Sequence, residues 1–199
     1  TPVSAAATVA PMEEVTAMEE VAAVEEVAAL PDTPGPADTN GCVELVRNGE
    51  FEMDGVSGTE RRVPDWAVTA GVGLERAVLH PTRSGSQSLR VGQAETTEVS
   101  SLSGAEQRIK LPDNYARILL TFDYVLLSEN PDGPTNRQSA DVFYMETGHL
   151  ERRVLNESSD EAEWLLKEED LTALSGQPVR LRLSVADDVA GTVMYVDNV

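Results

Sequence analysis

Short segments in which apolar and polar residues alternate dominate the chain from about residue 41 onward, and Gly, Pro, Asn and Asp separate them. In the clearest segment the large apolar residues share one face: Ile118, Leu120, Phe122, Tyr124 and Leu126. Polar residues such as Thr121 and Asp123 fall on the other face. A second segment, 179–185, alternates in the same way. This period of two predicts strands of a sheet that is buried on one side.

The same pattern predicts further strands at 42–47, 64–69, 72–80, 86–92, 105–111, 139–146, 149–155 and 192–199. The only helical turn that the pattern supports lies near Lys167–Leu174. Nine or ten short strands with little helix are typical of an antiparallel sandwich. The fold class is therefore predicted to be all-β.

The first 40 residues have a different composition. They hold eight acidic residues, no basic residue and no aromatic side chain, whereas residues 41–199 carry a charge of −12. Three copies of a six-residue repeat, from Met12 to Ala29, place large apolar residues at every third position. We interpret 1–40 as an acidic, low-complexity linker or docking segment, either a flexible spacer or a strap that orders on a partner. Residues 41–199 form the predicted domain.

The charge and the rare residues exclude several functions. The formal charge is −20, and the 15 Lys and Arg residues are scattered, so nucleic-acid binding is not expected. No apolar run approaches the ~20 residues that span a bilayer. One cysteine and two histidines cannot form a Cys/His zinc site. Cys42 is interpreted as structural or as available for an intermolecular bond.

Seven short motifs in residues 42–199 resemble carbohydrate-binding modules. Asn48–Glu52 resembles the opening motif of that family, and Trp66 follows at the family's spacing. The other similar segments are Ser84–Arg90, Gln107–Pro112, Leu119–Tyr124, Trp164–Gln177 and Met194–Val199. The resemblance is to the jelly-roll, galactose-binding-like sandwiches of bacterial secreted and surface proteins. This resemblance implies a secreted or cell-surface location. The small residues after Thr1 agree with it, because they are compatible with a mature terminus left by signal-peptide removal.

The resemblance implies a structural calcium ion. In the family, a glutamate of the opening motif and an aspartate of the closing strand are ligands, here Glu52 and Asp197, and carbonyls near Ser84 complete the shell. Calcium takes six to eight oxygen ligands, so the set is chemically reasonable. The alternative is that Glu52 and Asp197 cap turns without a metal.

Sugar binding requires exposed rings, and most of the nine aromatic residues, Phe51 and Trp66 among them, fall at packing positions. Tyr115 and Tyr144, with Phe143 as a third, are the candidate exposed rings. Related modules bind ligand on a concave sheet, where Asp123, Arg180 and Arg182 would point outward. The alternative role of the two arginines is a charge ladder with acids on a neighbouring strand.

Catalysis is not expected, because no nucleophile elbow, phosphate-binding loop or distinctive carboxylate pair occurs. Two functions remain. The first is a structural or assembly subunit of a cell surface, filament or complex, with protein contacts and possible homo-oligomers made through residues 1–40. The alternative is a module that attaches to a polysaccharide.

Overall fold

A computed structural model describes residues 42–53, 55–57, 60–69, 71–76, 85–93, 101–133, 136–187 and 191–199. The chain divides into two units, Thr1–Pro31 and Asp32–Val199, and every described residue belongs to the second. The predicted acidic segment 1–40 lies outside the described residues.

The described chain is built from twelve strands and one 3₁₀ turn, Thr172–Leu174. The strands are β1 (Gly55–Ser57), β2 (Glu60–Arg62), β3 (Ala67–Val68), β4 (Val72–Arg76), β5 (Gln87–Gln93), β6 (Ser101–Lys110), β7 (Leu119–Ser128), β8 (Arg137–Tyr144), β9 (Leu150–Glu157), β10 (Leu165–Asp170), β11 (Pro178–Asp187) and β12 (Thr192–Asp197). The predicted all-β class is confirmed.

Two five-stranded sheets form the sandwich, and β1 and β2 form a separate two-stranded hairpin. Sheet A has the order β10-β7-β12-β5-β4, and sheet B has the order β3-β6-β11-β8-β9. Every recorded strand pair is antiparallel. From β5 to β8 the chain crosses between the sheets at each connection, which is the connectivity of a jelly roll.

The core lies between the sheets and consists of the alternating apolar residues. The predicted inward residues of β11 are Val179, Leu181, Leu183 and Val185, and none is more than 2% exposed. Trp66 packs its ring 5.5 Å from that of Phe51. Both rings are buried, which confirms that these aromatics are packing residues. Burial of this apolar surface is the main force holding the sheets together.

Sheet A is buried on both faces over part of its width, and the prediction of one solvated face is wrong there. Val125 lies on the outer face of β7, yet it is 7% exposed. It forms a second apolar cluster with Val193 and Tyr195 of β12, and Trp164 packs against this cluster. The chain that precedes β10 therefore covers this part of the outer face.

The predicted strand 42–47 is wrong. Only Val43 makes an isolated bridge, and the chain turns at Arg47–Glu50. In place of strand pairing, the buried side chain of Gln107 supplies the hydrogen bonds that hold this segment. Its Oε1 accepts from the backbone N of Arg47 at 2.8 Å, and its Nε2 donates to the Arg47 carbonyl at 2.8 Å and to the Asp65 carbonyl at 3.3 Å. A side chain thus holds the first described segment against β6.

The helical prediction near Lys167–Leu174 is correct only for its last turn. Residues Leu165–Asp170 form β10, which pairs with β7 at the edge of sheet A. Lys and Glu favour helix, but the backbone hydrogen bonds offered by β7 outweigh that weak preference. The 3₁₀ turn follows, and the Thr172 hydroxyl accepts from the backbone N of Ile118 at 2.9 Å.

Candidate functional site

A row of alternating charges crosses the outer face of sheet B. Strand register places Glu106, Arg182, Asp141 and Arg153 side by side on β6, β11, β8 and β9. Arg182 Nε lies 3.4 Å from Glu106 Oε1, and Arg153 Nε donates to Asp141 Oδ1 at 3.1 Å. The row offers hydrogen-bond donors and acceptors on β6, β11 and β9, whereas Asp141 on β8 is buried.

An aromatic ring and a second arginine lie in the next row. Arg180 pairs in register with Phe143 of β8 and with Arg108 of β6. The guanidinium carbon of Arg180 stands 4.9 Å from the centroid of the Phe143 ring, which is a cation–π contact. Arg180 Nη1 also lies 3.5 Å from Glu106 Oε2. This confirms the predicted charge ladder for Arg180 and Arg182.

Small residues occupy the row on the other side of the charges. Gly104, Ser184 and Ser139 are register neighbours, and the two serine hydroxyls are 2.8 Å apart. A Cβ added at Gly104 would lie 3.5 Å from Nε of Arg182, so the guanidinium leans over this glycine. The outer face of sheet B therefore combines one ring, several charges and a strip of short side chains. We call it the charged face.

The structure separates the other predicted ligand-binding residues from the charged face. Asp123 lies on the outer face of β7 in sheet A, where it is 8% exposed and accepts from Asn198 Nδ2 at 2.9 Å. Tyr144, predicted as an exposed ring, is partly buried and packs against the core. Alternation along β8 turns Tyr144 inward and Phe143 outward.

Tyr115 lies at a third place, on the wall of an apolar cavity of about 450 Å³. Residues 42–46 form another wall, and Leu119, Leu171 and Val199 contribute apolar surface. Tyr115 is 38% exposed, as predicted, and Cys42 is exposed beside it. The cavity and the charged face are thus two candidate binding surfaces built from different residues.

The carboxylate of Glu52 is held by a turn. Its Oε1 accepts from the backbone N of Ser86 at 2.7 Å and of Gln87 at 2.9 Å, and its Oε2 accepts from the Ser86 hydroxyl at 2.7 Å. Desolvation of this carboxylate raises its pKa, but the hydrogen bonds from Ser86 and Gln87 outweigh that effect, and the pKa of Glu52 is lowered. A Cβ at Gly85, whose φ is +56°, would lie 2.2 Å from Oε1. The turn therefore needs glycine at 85.

The predicted calcium ligands are only partly described. Asp197 is fully buried on β12, and its Oδ1 accepts from the backbone N of Asn198 at 2.9 Å. Ser84 lies outside the described residues. No group of three or more His, Cys, Asp or Glu side chains in the described part of the chain could hold a metal. Since both oxygens of Glu52 already accept hydrogen bonds, the described residues form no carboxylate cage, and calcium stays a prediction.

Comparison with known proteins identifies the fold. No protein-family model matches the sequence, and no curated protein does. One similar solved structure is that of TmCBM61 in complex with beta-1,4-galactotriose. Its sequence is 16% identical, the TM-score is 0.53, and the match covers 77% of this chain and 93% of that one. A family 16 carbohydrate-binding module is 18% identical with a TM-score of 0.46, covering 78% and 96%. The enzymatically active domain of bacteriophage CBA120 tailspike protein 4 is 12% identical with a TM-score of 0.49, covering 77% and 21%.

These likenesses concern the fold. The chain has the β-sandwich fold of carbohydrate-binding modules, in agreement with the motif resemblance. Within the described residues, no helix is long and apolar enough to cross a membrane.

Proposed function

We propose that this chain is a non-catalytic module that binds a polysaccharide across the charged face of sheet B. The observation that supports this most directly is the combination of the Phe143 ring with charged donors and acceptors on adjoining rows. Sugars are bound through stacking on rings and through hydrogen bonds from fixed polar groups. The fold likeness to a module solved with beta-1,4-galactotriose supports the same function.

The charged face is suited to a long ligand because its binding groups continue from strand to strand. The charge row extends from β6 to β9, and neighbouring strands lie about 4.8 Å apart. Four strands therefore span roughly 15 Å. A polymer bound along this row would contact several groups at once. We further propose that the module is secreted or displayed on a cell surface, where polysaccharides are accessible.

Isothermal titration of the full chain with soluble polysaccharides tests this function. Phe143→Ala is expected to weaken binding by about tenfold, since covering a Phe side chain contributes roughly 1.5–3 kcal/mol and about 1.4 kcal/mol is tenfold in Kd. Tyr115→Ala is the matched control, because Tyr115 is an exposed ring on the cavity, away from the charged face. Equal losses in both variants, or no binding by the parent chain, would contradict the proposal.

An assembly subunit is the second candidate function. The apolar cavity beside residues 42–46, with exposed Tyr115 and Leu119 on its wall, supports it. The contact would be with a second copy of the chain. Sedimentation velocity over a range of concentrations should then show a dimer that Leu119→Asp removes. A monomer at every concentration would exclude this function as a homo-oligomer.

A further inference from the structure

We infer that the charged face selects acidic polysaccharides, those that carry carboxylates or sulfates, over neutral ones. The inference rests on the proposed function and adds the chemical class of the ligand. Its basis is a concentration of positive charge that the fold creates. Six basic residues occupy outward register positions of sheet B: Arg108 and Lys110 on β6, Arg137 on β8, Arg153 on β9, and Arg180 and Arg182 on β11.

Two acidic residues, Glu106 and Asp141, share those outward positions. The described face therefore carries six positive and two negative charges, a net of +4. Counting Glu151, which lies at the irregular pairing of the edge strand β9, lowers the net to +3. The whole chain has a charge of −20, so the rest of it sums to about −24. A positive face on so acidic a protein attracts and orients an anionic ligand.

Arg108 is the basic residue of the face whose charge is least neutralised within the described protein. Arg108 is exposed, lies directly opposite Arg180, and makes no ion pair with any described residue. Like charges placed opposite each other in a sheet cost stability. The two contacts of Glu106 with Arg180 and Arg182 are 3.5 and 3.4 Å long. Charge-assisted hydrogen bonds are usually 2.7–2.9 Å, so these guanidinium groups keep donors for a ligand.

Arginine rather than lysine dominates the face, and this favours planar anionic groups. A guanidinium presents a fixed fork of donors that fits a carboxylate or a sulfate with two parallel hydrogen bonds. Lys110 donates to the Gly176 carbonyl, and Arg137 donates to the Asn136 carbonyl at 2.6 Å, so these two are turned toward loops. The recognition set is therefore Arg108, Arg153, Arg180 and Arg182, whose four positive charges exceed the two negative charges of Glu106 and Asp141 by two.

The spacing of these charges suits a single flexible polymer chain. Arg108 and Arg180 are cross-strand neighbours, and Arg182 lies two residues further along β11. Their Cα atoms are within roughly 5–8 Å of one another, so a single extended chain can contact all three side chains. Nucleic acids carry the same sign of charge. A duplex would also meet the strongly negative remainder of the protein, so we assign the face to polysaccharide and treat nucleic acid as an outcome of the test.

Affinity electrophoresis and titration of the full chain test the inference. The probes are polygalacturonate, dextran sulfate, neutral β-1,4-galactan, neutral xylan and single-stranded oligothymidylate. We expect at least tenfold tighter binding to polygalacturonate or dextran sulfate than to either neutral polymer. The preference should fall as salt rises, because exposed charges are screened over about 10 Å at 0.1 M ionic strength. The first two probes distinguish carboxylate from sulfate recognition.

Three variants locate the site. Arg108→Gln and Arg180→Gln should each weaken binding of the preferred acidic polymer about three- to tenfold. Arg152→Gln is the matched control, because Arg152 is adjacent to Arg153 in sequence but pairs with Glu169 of β10 at 3.3 Å, at the edge of the sandwich. It removes the same charge without changing the charged face, and it should bind as the parent does.

Each outcome separates the two proposals. Equal binding of neutral and acidic polymers, insensitive to salt, would overturn the inference and leave polysaccharide binding intact. Binding of no polymer would overturn both. Oligothymidylate bound as tightly as the acidic polysaccharides would show general polyanion binding and overturn the inference. An equal loss in Arg152→Gln and Arg108→Gln would do so as well, since it would show an effect of net charge alone.

Discussion

Arg108 and Arg180 lie directly opposite each other on neighbouring strands β6 and β11. Repulsion between them opposes folding, while the same pair gives the charged face its excess of positive charge. Arg180 also contacts Phe143 and Glu106, whereas Arg108 is exposed and makes no ion pair with a described residue. The two arginines should therefore respond differently to substitution.

Arg108→Gln is predicted to stabilise the fold while it weakens ligand binding. Removing the like-charge pair should raise the free energy of unfolding by roughly 0.2–1 kcal/mol. Urea denaturation at low salt measures this, and the gain should shrink at high salt because the repulsion is screened. Arg117→Gln is the control, because Arg117 lies 3.3 Å from Glu168 and loses a favourable pair. A destabilised Arg108→Gln variant would contradict this prediction.

Glu52 is predicted to contribute stability that disappears in acid. Its pKa is lowered from 4.5 in the folded chain, so the carboxylate is more acidic folded than unfolded. Its contribution is therefore present above about pH 4.5 and is lost as the pH falls through the folded pKa. Glu52→Gln should unfold more easily than the parent at pH 7, and the difference should shrink below pH 4.

Urea midpoints at several pH values measure this difference. Glu50→Gln is the control, because Glu50 is exposed at the end of the Arg47–Glu50 turn and its side chain makes no hydrogen bond with a described residue. A gap between Glu52→Gln and the parent that stays constant from pH 7 to pH 3 would show that the carboxylate charge is not its source.

Gln107→Leu is predicted to destabilise the fold by about 1–3 kcal/mol, because it removes three hydrogen bonds that hold Arg47 and Asp65. Unfolding followed by circular dichroism measures the loss. Gln177→Leu, at an exposed position, should cost far less. Similar losses in the two variants would mean that the segment at Arg47 is held by other contacts.

Calcium is predicted to raise the Tm, from the resemblance that assigns Glu52, Asp197 and carbonyls near Ser84 as ligands. Bound calcium stabilises the folded state by mass action. Differential scanning calorimetry in millimolar calcium and in EDTA measures the shift, and Asp197→Asn should abolish it. Identical Tm values in calcium and in EDTA would contradict the prediction that calcium binds at this site.

Part of the structure could be predicted from single segments. Alternation at 118–126 and 179–185 identified the inward residues of β7 and β11, since one sheet face is apolar wherever it meets the core. Trp66 and Phe51 were predicted to pack, and they do. The Glu52 turn lies within two motifs that the resemblance had singled out, although its hydrogen bonds to Ser86 and Gln87 required the structure.

Other features depended on neighbours that are distant in sequence. Phe143 and Tyr144 are adjacent aromatics, and only the pairing of β8 with β11 decides which one faces outward. Leu165–Asp170 has a helix-favouring composition, and it becomes a strand because β7 offers an unpaired edge. Asp123 alternates as an outward residue, yet Asn198, which follows β12, donates a hydrogen bond to it.

The sequence by itself determined the all-β class, the inward faces of its clearest strands and the acidity of residues 1–40, because each depends on local composition or on a period of two. Because the basic residues are scattered in the sequence, a basic surface was not expected. The tertiary structure places six of them on one face, because hydrogen-bonded register aligns strands that lie tens of residues apart. Charge distribution over a surface is a property of that alignment, and only the folded chain decides it.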